Sequence, residues 1–289
     1  MLTIVGVDRV DMKEWKVLVI DEQDYCKSSS ICNLVVEALN KFFVRVRESS
    51  ENPPSEVYVE VGEPHYEVEI AKSLGGMIPQ SKPESCLLYA GWSGVPEVYI
   101  VPSSCRRYDG DRVISEAYRV AAHTILHRGY EYYTIELSDR SALEELPDEL
   151  TVEFLYLVSA GVRAYEALEY ASNVMGREEV AYHVKISLVE AIDYYEKLVR
   201  QLEPKKHILW LLAAEFFKLL AEALPFIRLP AINHYVAELK AVLAGMFRLS
   251  WEAAWEGIQY LSELEGAKTR MKARFIATKI ANKLKGNLF

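Results

Sequence analysis

The sequence predicts an α+β fold, with a small mixed sheet carrying helices on one side and a mostly helical C-terminal half after it. Three observations predict it. Short β-rich runs separated by turn residues fill the chain to about residue 109, and long segments with helical periodicity fill it from 110 onward. No proline- or glycine-rich linker stands between the two. The expected organisation is therefore residues 1–109 as the sheet-containing part and 110–289 as the helical part, packed together as one unit.

The elements follow in order. "LTIVGV" and "KVLVI" read as strands, and "SSSICNLVVEALNKFF" reads as a helix capped by Ser29 or Ser30. The adjacent prolines of "SENPPSE" mark a surface loop. "EVYVEVG", "YEVEI", "CLLYAGW" and "EVYIVP" alternate apolar and polar residues, as strands with one solvated face do. A helix then covers "GDRVISEAYRVAAHTILHRGYEYY". Others are expected at about Asp148–Met175, Arg177–Leu202, His207–Leu224 and Ala231–Glu265, with Pro204 and Pro225 as stops, and "AKTRMKARFIATKIANKLK" ends the chain.

Composition narrows the class. Of 289 residues, 51% are hydrophobic and 26% charged, which is a globular rather than a disordered balance. A net charge of −9 argues against a chain that traps nucleic acid by its overall field. The start, "MLTIVGVDRVDMKEW", lacks the basic-then-apolar order of a targeting segment. Glu215, Lys218 and Glu222 interrupt the most apolar helix. The reading is a soluble, cytoplasmic chain. Few Asn and Gln beside many Glu, Lys, Arg and Tyr give it a thermophile-like composition. The four cysteines, Cys26, Cys32, Cys86 and Cys105, form no C-x-x-C motif and read first as buried thiols, with disulfides as the alternative.

The chemistry-bearing motif is "AAHTILHRGY". Residues four apart on a helix lie one above the other, so His123 and His127 can aim at one ion, on a face shared with Glu116, Val120 and Glu131. A helix-borne histidine pair after a small sheet resembles the gluzincin-type zincin metallopeptidases, with "HTILH" in place of their H-E-x-x-H, over residues 85–172. The resemblance implies a zincin-like core, zinc as cofactor, and a third ligand on a later helix. "GVRAYEALEYAS" matches that place with Glu166, while Glu153 and Glu169 are fallbacks. The glutamate that serves as general base in that family is replaced here by Thr124, whose hydroxyl is neither basic nor long enough to take a proton from bound water. The expectation is a zincin-like protein without peptidase activity, with His123, His127 and Glu166 as its metal residues. A third option is a hydrolase with a displaced base. The same spacing also suits two buried neutral imidazoles hydrogen-bonded to Glu116, Glu131 or Tyr130.

Two other stretches carry no motif. "SLGGMIPQSKPES" lacks the Lys-Ser step of a phosphate loop, and "AGWSGVPEVYIV" reads as a turn between strands. The last helix is basic in an acidic chain. Lys268, Arg270, Lys272 and Arg274 lead its seven cations, and Met271, Phe275, Ile276, Ile280 and Leu284 can share one apolar stripe. This gives the alternative function, a helical scaffold that binds a protein partner or nucleic acid through this helix. An ordinary docked helix that pairs its lysines with nearby acids stands beside it.

Overall fold

A computed structural model of the chain describes residues 2–5, 15–49, 51–62, 85–91, 93–129, 132, 143–144, 146–199, 206–264 and 266–286. The expected strand "YEVEI", Tyr130 and Glu131 lie outside the described residues. The fold is α+β with a small mixed sheet. Its strands are β1 (Leu2–Val5), β2 (Lys16–Ile20), β3 (Glu56–Val61), β4 (Leu87–Ala90) and β5 (Glu97–Ile100), in the order β1-β2-β3-β5-β4. The pairs β2–β3 and β3–β5 are parallel, and the outer pairs β1–β2 and β4–β5 are antiparallel.

The chain divides into two compact units. One unit holds residues 1–69, 80–132 and 166–183, and the other holds 70–79, 133–165 and 184–289. In the first, α1 (Tyr25–Ser28) precedes α2 (Ile31–Glu48), which crosses between the parallel strands β2 and β3. The short α3 (Pro102–Cys105) and then α4 (Gly110–Leu126) follow β5. The valines explain the layering. Register aligns Val19, Val59 and Val98 across the strands, and these side chains with Val17, Val57 and Ile100 are buried. The opposite face, Leu18, Tyr58, Glu60 and Glu97, is half-buried rather than solvated. Phe42 of α2 stacks on Tyr118 of α4 with centroids 6.4 Å apart, joining the two helices over the sheet. The last part of α5 (Asp148–Met175) and the first part of α6 (Arg177–Val199) belong here too. The Ser115 hydroxyl ties α4 to α6, donating to Val180 O at 2.7 Å and accepting from His183 N at 3.0 Å.

The second unit is helical: the remainders of α5 and α6, then α7 (Lys206–Ala223), α8 (Pro230–Leu243), α9 (Arg248–Glu263) and α10 (Thr269–Lys285). One helix was expected over 231–265. The chain instead turns at residues 244–247, where Gly245 weakens the helix and Phe247 is fully buried. The α7–α9–α10 packing is close. A Cβ at Gly257 would lie 2.9 Å from the Phe217 ring and 3.0 Å from Ile280, so only glycine lets these helices approach. Among the described residues no helix is long and apolar enough to cross a membrane.

The cysteines are not thiols. Cys26 is bonded to Cys32 and Cys86 to Cys105, pairings that sequence spacing alone does not specify. The second bond closes a loop with a sequence separation of 19 and fastens the start of β4 to α3. Removing it as Cys86→Ala with Cys105→Ala is expected to lower the unfolding free energy by about 3 kcal/mol in denaturant titration. The same treatment of Cys26 and Cys32 should cost less, about 2 kcal/mol, because the loop is shorter. Equal stability of oxidised and reduced wild-type chains would contradict both pairings.

Candidate functional site

Helix α4 starts on a real cap: Asp109 accepts a hydrogen bond from Arg112 N at 2.8 Å. The helix ends sooner than its apolar pattern predicts. Leu126 is its last residue and His127 is the C-cap, still donating its amide to His123 O at 3.0 Å. This preserved turn brings the two rings together. His123 Nδ1 and His127 Nδ1 face each other at 2.8 Å, with His123 only 5% exposed and His127 only 1%. Glu166, on α5, meets His127 at the opposite nitrogen, with Nε2 and Oε2 3.0 Å apart. The three predicted residues therefore converge, but in a line: Glu166, His127, His123.

The line sets the protons. With Glu166 ionised and both rings neutral, His127 donates from Nε2 to Glu166 and its Nδ1 keeps a lone pair. Then His123 must donate from Nδ1, leaving its Nε2 as an acceptor. Both ring nitrogens of His127 are engaged, and Glu166 does not reach the point that the two Nδ1 atoms share.

The sheet contributes residues that the motif did not reveal. Tyr89 of β4 stacks on His123 with centroids 5.4 Å apart and planes at 14°, and its hydroxyl donates to His127 O at 3.2 Å. Such a stack contributes on the order of 1 kcal/mol. The Tyr132 ring stands edge-on to His127 at 5.3 Å. Gly91 completes the floor. Any Cβ there would collide with the Tyr89 hydroxyl and the His127 carbonyl, while its own carbonyl accepts from Gly129 N at 2.7 Å. The only sequence trace of this was "YAGW", which reads as a strand end.

Glu116 lies on the predicted face but does not serve the imidazoles. It is fully buried, accepts from Leu87 N at 3.2 Å and from Arg119 Nη2 at 3.1 Å, and has His183 Nε2 at 3.8 Å. Arg119 also donates to Leu87 O at 3.2 Å, so one acid–base pair grips both backbone groups of Leu87. Burial pushes the Glu116 carboxyl up, against the opposing pull of Arg119. The Tyr108 phenol is likewise pushed up by burial and then by Glu116. Of the fallback acids, Glu153 is half-buried and Glu169 exposed. Thr124 is fully buried, and its hydroxyl donates to Ala121 O at 2.7 Å. Among the described residues, no group of three His, Cys, Asp or Glu is arranged to hold a metal ion.

The basic helix α10 departs from its expected pattern. Lys268 and Arg274 are exposed and Arg270 is half-buried, but Lys272 is only 7% exposed and so belongs to the packed side. The buried stripe is Ala273, Ile276, Ala277, Ile280, Ala281 and Leu284; Met271 and Phe275 lie outside it. Helical periodicity allowed either set, and contact with α9 and α7 selected this one. No family model, no curated protein and no solved structure matches the chain.

Two outcomes follow. Long-range proton–nitrogen spectra at neutral pH should show His127 protonated at Nε2 and His123 at Nδ1; the reverse pair would refute the proton order. For Glu116, burial raises the folded pKa above the ordinary 4.5, so the group's stability contribution is present below that value and lost as pH rises through the folded one. Glu116→Gln should flatten this slope in urea titrations across pH, and an unchanged slope would show that Glu116 is not its source.

Proposed function

We propose that the chain is a zincin-like, cytoplasmic protein without peptidase activity that uses its helix-borne histidine pair to hold a divalent metal, zinc in the first instance. One observation carries this reading: the two Nδ1 atoms face each other at 2.8 Å, with a carboxylate from a later helix fixing the outer nitrogen of one ring. The order of parts also supports it, with the sheet first, then the histidine helix α4, then the glutamate helix α5.

The donor chemistry suits a borderline ion such as zinc, but the pair supplies only two protein donors where catalytic zinc usually takes three. His123 and His127 would hold the ion, which would take the place of the proton that His123 Nδ1 shares with His127 Nδ1, and zinc when bound supplies Lewis acidity. Glu166 would act as an orienting group, accepting from His127 Nε2 so that Nδ1 presents its lone pair. Thr124 supplies no base: its proton goes to a backbone carbonyl, and it lies in dry packing. Without a base beside the ion, peptide hydrolysis loses a factor of roughly 10² to 10⁴.

The scaffold reading keeps a place because Met271 is 64% exposed and Phe275 39%, beside the cations of α10.

Metal analysis after equilibration with zinc and dialysis is expected to give bound zinc in the wild type and none in His123→Ala. Glu166→Gln should retain the site with affinity lowered roughly 10- to 100-fold. The zinc-loaded wild type should cleave no unfolded protein substrate. Equal zinc in wild type and His123→Ala, or none in either, sinks the metal reading; zinc-dependent cleavage sinks the loss of peptidase chemistry.

A further inference from the structure

The chain carries a basic, apolar helix face and an acidic, apolar groove. We propose that these are the two halves of a contact between copies of this chain, with α10 of one copy lying in the groove of a second. This deepens the scaffold reading by naming the partner, and it is independent of the metal reading.

The helix half is Met271 and Phe275, spaced i, i+4 and so aligned along one side of α10, with exposed Lys268 and Arg274 alongside. Phe275 is held in place rather than waving in solvent. Its ring meets Tyr260 edge-on at 5.3 Å, and the Lys279 ammonium lies 4.7 Å and 5.1 Å from the two ring centres.

The groove half is a cavity of about 440 Å³ where α2, α4 and the start of α6 meet. Its floor is Leu34 and Ala38 of α2 with Ile114 and Tyr118 of α4, two rows of i, i+4 side chains. Rows of that kind form the ridges between which a third helix seats its own i, i+4 anchors. The rim is acidic: Glu37, Asp111 and Glu178, with Glu179 already paired to Lys41 at 2.9 Å.

Charge selects the occupant. On a chain of net charge −9 the cations of α10 are a local reversal, and the groove presents the matching sign around a matching apolar floor. Nucleic acid fits less well, because much of the helix's charge is used inside the fold. Lys272 is buried, Lys279 lies over two rings, and Lys283 pairs with Glu256 at 3.4 Å. Few cations remain for phosphates. Each copy carries one helix face and one groove, so such contacts either close into a symmetric assembly or continue from copy to copy.

The test is sedimentation of the full chain over a concentration series at low and high salt, with Arg274→Glu and Glu178→Lys variants. Association is expected for the wild type, weakened by salt, and weakened about tenfold or more by either variant. Mixing the two variants should restore association, since one keeps an intact groove and the other an intact helix. Wild-type thermal unfolding of both makes the loss a surface effect, and unchanged zinc content separates this result from the metal reading. A wild type that stays monomeric overturns the proposal. So does association insensitive to both variants, or a mixture that fails to associate. Binding of single-stranded RNA that Arg274→Glu abolishes, without self-association, would give the face to nucleic acid instead.

Discussion

The site depends first on one grip: Glu116 and Arg119 hold the N–H and the C=O of Leu87 between them. Among the described residues β4 is an edge strand bonded within the sheet only to β5, and its outer peptide groups would otherwise need water or another strand. Supplying them from α4 fastens the strand to the helix that carries the histidines. Two residues further along β4, on the same face, comes Tyr89, which stacks on His123. The disulfide from Cys86 to Cys105 fastens the same strand at its start, next to the gripped residue. A buried carboxylate is costly, and here its partners are a guanidinium and a backbone amide, which offset part of that cost while tying the strand to the helix.

Placed between His123 and Glu166, the His127 ring has a partner at each nitrogen, so its tautomer and its orientation are both decided by neighbours. Such a line differs from three ligands pointing at a common centre. The carboxylate acts through the ring it holds, which makes Glu166 a positioning residue for the pair. Thr124, the residue after His123, turns its hydroxyl back on the helix to Ala121 O. A β-branched hydroxyl residue commonly does this mid-helix, where the carbonyl of the preceding turn is within reach.

The helical unit answers to a different constraint, close approach. Gly161 and Gly257 lie against Phe217, where a methyl group would come within 3.0 Å of the ring. Ser250 adds a buried bond to Leu209 O at 2.7 Å. Packing of this kind decides which side of α10 turns inward, and it draws Lys272 in with the alanines while Met271 and Phe275 stay out. The face left in solvent is therefore set by neighbouring helices rather than by the helix's own composition.

Much of this was legible in the sequence because it is local. Alternating valines, the Pro225 stop and the Asp148–Met175 periodicity mark elements whose physics acts over a few residues. The histidine spacing likewise sufficed to bring two rings together, and Glu166 stood where a later helix could return it to them. What sequence could not decide are matters between elements: which cysteines pair, which side of His127 Glu166 reaches, and that Tyr89 and Gly91 complete the site from a strand. Sequence alone determined the kinds of element and the residues able to do chemistry, since periodicity and side-chain type are properties of neighbours in the chain. Tertiary structure alone decided the order of Glu166, His127 and His123 in their hydrogen-bonded line and the exposed face of α10, since both depend on atoms that only packing brings within a few ångströms.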